Sequence, residues 1–240
     1  MNERWAIYID IEGFSMLYPE GQDALCALNK LMLAIHSIGK LVFPELPDRL
    51  FAHQVGDGFL IVSNSHEDNL DRAASIATVL MKFITNYGLF ARAIISEGGL
   101  MGINRLCPDE VLDDCIEGDT LTVRMGAGLM TIFPVMGTAL INAVGIDKRA
   151  PKGPMLVLPM TYRDRLSSNF LTTAIEGSET MAIDWIHTEG ELLTTIKAKA
   201  NLELPSPKDI EILLVQYMSK HKLPPEWVNS CSNYLGVIHV

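Results

Sequence analysis

Cysteine is scarce, and nothing in its spacing puts it to structural use. Cys26, Cys107, Cys115 and Cys231 lie far apart, with no CxxC and no His at zinc spacing. That excludes a disulfide framework and a zinc module. Positive charge is scarce too: 19 Lys+Arg against 29 Asp+Glu leave a net charge of −10, and no Lys/Arg-rich stripe interrupts the balance. Gripping a nucleic-acid backbone needs clustered cations, so no nucleic-acid partner is expected. An anionic small substrate would need metal cations or a local basic pocket to offset the field. No apolar run reaches the ~18 residues of a membrane span before Gly, Pro or a charge breaks it. Met1-Asn-Glu-Arg-Trp5 runs straight into a strand pattern rather than a secretory leader. These lacks predict a cytoplasmic protein with no membrane partner. Repeats and low-complexity tracts are absent.

What is present is a 240-residue chain, 48% hydrophobic, long enough to bury a core without covalent staples. Trp5, Ile7, Ile9 and Ile11 alternate with Ala6, Tyr8 and Asp10, a period-2 strand. Leu28, Leu31, Met32, Ile35 and Ile38 give residues 23–43 an amphipathic helix. Two apolar runs, 50–55 and 59–62, flank Gly56-Asp57-Gly58 and predict a β-hairpin. A helix over 67–87, a strand over 89–96, a short helix over 137–148, strands over 154–158 and 180–186 and a helix over 208–221 follow. Residues 107–119 read as acidic and irregular, and 121–133 carry no assignable pattern. A hairpin between two helices excludes an all-parallel sheet. The order β-α-ββ-α-β predicts an α+β fold: a mixed, mainly antiparallel sheet with helices packed on it. We expect one domain over 1–200 and a C-terminal extension over 201–240, packed on that domain or on a partner copy.

Two carboxylates stand out. Asp10 ends the first strand and Asp57 sits at the hairpin tip; if the hairpin pairs with that strand, both face one pocket. Adjacent carboxylates repel and need a compensating cation. Asp oxygens with few other donors suit Mg²⁺ or Mn²⁺ completed by water and phosphate. The Gly13-Phe14-Ser15 turn opens a helical segment whose free N–H groups could cradle a phosphate. Alone, Asp10 reads as a strand-end solubilising residue and Asp57 as a turn former. Their joint pattern, Ile-Asp-Ile-Glu-Gly-Phe-Ser and then Val-Gly-Asp-Gly-Phe, carries the argument. Glu12 reads as solvent-facing or ion-paired, Tyr162-Arg163-Asp164-Arg165 as a surface charge run, and Trp5, Trp185 and Trp227 as core or interface anchors.

That pattern resembles the class III nucleotidyl cyclases, over residues 5–160. The resemblance implies a ferredoxin-like core, with Asp10, Asp57 and the Ile11 carbonyl holding two divalent cations, Mn²⁺ or Mg²⁺. It also implies a nucleoside triphosphate substrate and a homodimer with composite active sites. Arg92-Ala-Ile-Ile-Ser-Glu-Gly98 partly matches the family's third block, and Gly137-Thr-Ala-Leu-Ile-Asn-Ala143 echoes the fourth. Where that fourth-block helix usually carries a transition-state Asn and Arg, this chain has Ile141 and Gly145. Asn142 is one residue away, a rotation of about 100° on a helix. Arg92, or Lys148 and Arg149, could supply positive charge instead; equally, Arg92 could be a strand-edge residue and Lys148-Arg149 a pair complementing the helix dipole.

At the family's purine-reading positions stand His53 and the apolar Phe133-Pro-Val-Met136. The chain therefore looks most like the bacterial pyrimidine cyclases of Pycsar antiphage defence. That resemblance implies conversion of UTP, or secondarily CTP, to a 3′,5′-cyclic nucleotide read by a separate effector protein. His53 would stack on or hydrogen-bond to the base; otherwise it is a sheet histidine satisfied by a neighbour. The competing readings are a weak or inactive nucleotide-binding relative, a purine cyclase, and the related diguanylate cyclase palm.

Overall fold

A computed structural model of the chain describes residues 3–14, 23–102, 108–116, 119–125, 127–131 and 135–237. β1 (Arg4–Ile11) keeps the expected alternation. α1 (Asp23–Ser37) widens into a π-type segment at Ile38–Val42. β2 (Leu50–Val55) and β3 (Gly58–Ser63) form the hairpin, and α2 (Asp71–Thr85) leads to β4 (Ala91–Gly98). Short strands follow: β5 (Met101–Gly102), β6 (Cys115–Ile116), β7 (Asp119–Met125), β8 (Gly128–Thr131) and β9 (Val135–Met136). Then come α3 (Thr138–Asp147), β10 (Leu156–Pro159), β11 (Thr172–Ala174), β12 (Thr180–Ile183), α4 (Glu191–Lys199), α5 (Pro207–Lys220) and α6 (Pro225–Leu235).

The main sheet has seven strands in the order β11-β12-β10-β4-β1-β3-β2. All neighbours are antiparallel except β10 and β4, which run parallel. The segment β4-β1-β3-β2 with α1 and α2 is the ferredoxin-like unit that a β-α-ββ-α-β order makes. The fold class is thus α+β, as the element order requires.

The two sheet faces do different work. Ile7, Ile9 and Ile11 on β1 join Leu31 and Ile35 of α1 and Leu80 and Ile84 of α2 in the main core. On the opposite face Ala6, Leu60 and Val62 meet Ala139 of α3 in a smaller cluster, with Tyr8 and Leu140 against it. Residues Ala73–Thr85 of α2 are all buried, because α4 and α5 cover the side turned away from the sheet. Burying this helix all round leaves its polar side chains to partners inside the protein: the Lys82 amine donates to the Thr188 carbonyl at 2.9 Å, while Ser75 Oγ and Thr78 Oγ1 are buried without a partner.

Several elements depart from expectation. β7 and β8 form an antiparallel ladder within 121–133. They carry no alternating core face: Arg124, Met125, Leu129 and Thr131 are exposed. α4 and α6 were also not anticipated; α6 follows the Pro-punctuated stretch because Pro225 sits at its start, where a missing N–H costs nothing. Arg165 is no free surface charge: both its terminal nitrogens bond the Glu97 carboxylate, at 2.6 and 2.7 Å. The stretch Ala24–Val42 is long and apolar enough, by length and composition, to cross a membrane. That stretch is interrupted by Lys30, Gly39 and Lys40, and Ala27, Leu31, Ala34, Ile35 and Ile38 sit in the protein core. Ile210, Leu214, Tyr217, Trp227, Cys231 and Leu235, all beyond residue 200, belong to the main core.

His187 ties this extension to the body, bonding Asp184 through Nδ1 at 2.8 Å and Glu211 of α5 through Nε2 at 2.9 Å. Partial burial works against the charged ring, but the two carboxylates outweigh it and raise its pKa. The contribution is therefore full below the unfolded value near 6.5 and lost as pH rises through the folded value. Thermal melts of wild type and His187→Gln should differ most near pH 5.5, and the gap should shrink as pH rises past neutrality.

Candidate functional site

The site lies at the C-terminal end of β1, on the α3 face of the sheet. Asp10 stands opposite Gly58 of β3 on one side and Arg92 of β4 on the other. Val55 pairs with Gly58, so Gly56 and Asp57 are a two-residue hairpin loop. Gly56 has φ +63° while Asp57 stays out of the left-handed region, the pattern of a type II′ turn with Gly first. That tight turn sets Asp57 one residue from the position facing Asp10. Gly58 is required by the close approach of the strands: a Cβ there would lie 2.8 Å from the Ile9 carbonyl oxygen and 3.0 Å from the Asp10 Cβ. The Tyr8 hydroxyl occupies the remaining space, 3.3 Å from the same point.

The local field is strongly negative. Burial, then Asp147 and Glu12, push the Asp10 pKa up to about 7; Arg92 opposes them and Asp57 adds to them. Burial and the carboxylates of Asp10, Asp57 and Asp147 raise the Tyr8 phenol, keeping it neutral. Asp147, the last residue of α3, was not among the residues singled out from sequence. The available signal was an acid at a helix C-terminus, where the dipole disfavours it, directly before Lys148-Arg149.

Arg92 explains why Asp147 is tolerated there. Its Nε donates to Asp147 Oδ1 at 2.5 Å, and its terminal nitrogens donate to the carbonyls of Asp147, Ala150 and Pro151. Arg92 is buried and committed, so it braces the C-terminus of α3 rather than reaching toward a substrate phosphate. Arg149 caps the same helix through Nε to the Gly145 carbonyl. Asn142 donates to the Glu97 carbonyl at 2.8 Å. Ile141 is 66% exposed, and a Cβ on Gly145 would meet nothing within 4 Å. That helix face therefore presents neither amide nor guanidinium.

His53 lies on edge strand β2 opposite Leu60, which in turn faces Tyr8. His53 and Tyr8 thus share a row on the α3 face. The ring is half-buried, burial lowers its pKa, and among the described residues no hydrogen bond reaches it. Gly13 and Phe14 follow Glu12 directly, with Gly13 at φ +74°; Ser15 lies outside the described residues, as do Phe133 and Pro134. Among the described residues, no group of three or more His, Cys, Asp or Glu side chains could hold a metal. A cation at Asp10 and Asp57 would draw further oxygens from backbone, water or substrate.

No protein-family model and no curated protein sequence matches the chain. Solved structures do. The guanylyl cyclase domain of the RhoGC fusion protein from the aquatic fungus Blastocladiella emersonii aligns over 76% of this chain and 93% of its own, at 14% identity and a TM-score of 0.50. The chain carries the nucleotidyl cyclase fold. The guanylyl cyclase Cya2 aligns over 85% of this chain and 98% of its own, at 13% identity and a TM-score of 0.45. A bacterial light-regulated adenylyl cyclase aligns over 83% and 56%, at 9% identity and 0.48. At such identities the likeness concerns the fold; the chemistry must be argued from this chain's own residues.

Asp10 supplies a pH test. Its folded pKa near 7 lies above the ordinary 3.8, so between those values the folded chain holds a proton that the unfolded chain has lost. Stability therefore falls as pH rises through that window. Asp10→Asn should melt higher than wild type at pH 8, with the advantage fading toward pH 4. Adding Mn²⁺ at pH 8 should raise the melting temperature of wild type and leave Asp10→Asn unmoved.

Proposed function

We propose that the chain is a metal-dependent nucleotide cyclase that converts a pyrimidine nucleoside triphosphate, UTP first and CTP second, to its 3′,5′-cyclic monophosphate. The single observation that supports this reading is that Asp10, at the end of β1, stands opposite Gly58, the residue after Asp57, in a nucleotidyl cyclase fold. In the reaction the ribose 3′-oxygen bonds to the α-phosphorus and pyrophosphate leaves.

The residues fit a divalent cation. Asp10 is partly buried among Asp147, Glu12 and Asp57, an arrangement of hard oxygen donors whose repulsion a cation relieves. Asp10, Asp57 and the Ile11 carbonyl would hold Mn²⁺ or Mg²⁺. When bound, two such ions would acidify the attacking hydroxyl and offset charge on the triphosphate. The chain's own groups then position the substrate. Gly13 would offer its backbone N–H to phosphate, His53, to which no hydrogen bond reaches among the described residues, would turn its ring to the base, and Arg92 keeps Asp147 fixed at the end of α3.

Pyrimidine preference is supported by what stands at the base-reading positions, His53 and the apolar Phe133-Pro-Val-Met136, which lack a purine-type polar pair. Homodimerisation with composite sites is supported by exposed apolar side chains between β4 and β10, namely Met125, Leu129, Met136 and Ile141. A cytoplasmic role in antiphage signalling, with the cyclic product read by a separate effector, completes the reading and rests on resemblance alone. One observation favours a second reading, a nucleotide-binding protein with little turnover: the α3 face at Ile141 and Gly145 presents neither Asn nor Arg at those two positions.

The test is incubation of purified protein with Mn²⁺ and each of ATP, GTP, CTP and UTP, with products resolved by mass. One cyclic pyrimidine monophosphate is expected. A cyclic purine would retain the chemistry and refute the base argument. Binding without pyrophosphate release from any nucleotide would establish the second reading. Specific activity should fall on dilution below the dimer dissociation constant; a fully active monomer would contradict composite sites.

A further inference from the structure

Glu12, immediately after the strand that carries Asp10 and Ile11, is held by the far end of the chain. Its backbone N–H donates to the Phe90 carbonyl at 2.8 Å. Its carboxylate accepts the indole N–H of Trp227, on α6, at 3.0 Å. Trp227 stacks on Tyr217 of α5 with ring centroids 5.8 Å apart, and Tyr217 meets the Phe90 ring edge-on at 5.2 Å. The indole also lies against Gly153, where a Cβ would come within 3.5 Å of its ring carbons. Gly153 belongs to the loop whose Ala150 and Pro151 carbonyls receive Arg92. One side chain of the C-terminal helix thus meets the Glu12 carboxylate after β1 and the Gly153 backbone of the loop after α3. A cavity of 210 Å³, bounded by Glu12, Gly13, Lys152, Tyr217 and Trp227 among others, lies beside the contact.

We propose that Trp227 and Glu12 are positioning residues: α6 clamps the turn after β1 through the indole N–H. The clamp holds Asp10, the Ile11 carbonyl and the Gly13-Phe14 backbone in the arrangement the reaction needs. The inference rests on the cyclase reading for its consequence and on geometry for its existence, so the experiment reads both. Full-length Trp227→Phe removes the donor and, with the smaller ring, some buried volume; Glu12→Ala loses the acceptor and leaves the aromatic stack, so a loss seen in both variants reports the hydrogen bond. Glu12→Gln keeps an oxygen that accepts the indole N–H. Backbone hydrogen exchange over residues 11–14 is measured without nucleotide, and kcat and KM are measured with Mn²⁺ and the preferred nucleotide.

Trp227→Phe and Glu12→Ala should each speed exchange at the Glu12 N–H and lower kcat about tenfold, the size expected from losing one hydrogen bond to a charged group. KM should stay within about twofold and the melting transition should stay cooperative, with Trp227→Phe melting lower than wild type because the smaller ring also vacates buried space. Glu12→Gln should recover most of both losses. Unchanged exchange in both breaking variants overturns the clamp, and so does a Glu12→Gln protein as impaired as Glu12→Ala. If Trp227→Phe does not fold, Glu12→Ala carries the test. If wild type makes no product from any nucleotide, the cyclase reading fails while the exchange measurement still decides whether the clamp exists.

Discussion

β1 is paired along its length on both sides, and the site depends on that double pairing. Its register with β3 places Asp10 opposite Gly58 and so beside the hairpin loop that carries Asp57. Its register with β4 places the same Asp10 opposite Arg92. A slip of one residue would turn every side chain of β1 to the other face, burying Asp10 in the main core and exposing Ile7 and Ile9 to α3. The apolar alternation that builds the core therefore also aims the carboxylate. The bare Cα of Gly58 lets the strands meet at that point without displacing the Asp10 backbone.

Around this pair the protein accumulates charge of one sign and compensates it incompletely. Arg92 is spent on Asp147 and on carbonyls after α3, and what remains for Asp10 is a partial offset. Burial and three further carboxylates win, leaving Asp10 with its pKa near 7. A carboxylate so perturbed at a strand end marks a candidate functional position. The Glu12–Trp227 contact extends the same frame to the C-terminal helices, which are built into the core.

Much of this was legible from residue patterns. The alternation of β1, the Gly-Asp-Gly turn and the helical spacing of α1 and α2 reported the ferredoxin-like unit, because each element's apolar face is turned to one core. The pairing of Asp10 with the hairpin followed from that order. Long-range partners were not legible. Nothing local to Arg92 announces Asp147, 55 positions away, and Glu12 finds its hydrogen-bond partner 215 residues on. β7 and β8 escaped notice because exposed strands need no alternation. α6 escaped because the prolines preceding it resemble loop punctuation, although one of them starts the helix.

The central claim is that Asp10 and Asp57 together make a cation-dependent catalytic centre. The most direct measurement is pyrophosphate release from UTP with Mn²⁺ by wild type, Asp10→Ala and Asp57→Ala, each checked for an intact cooperative melt. The account predicts release by wild type and its loss, by at least about a hundredfold, in both folded variants. Release persisting near the wild-type rate in either one would contradict it.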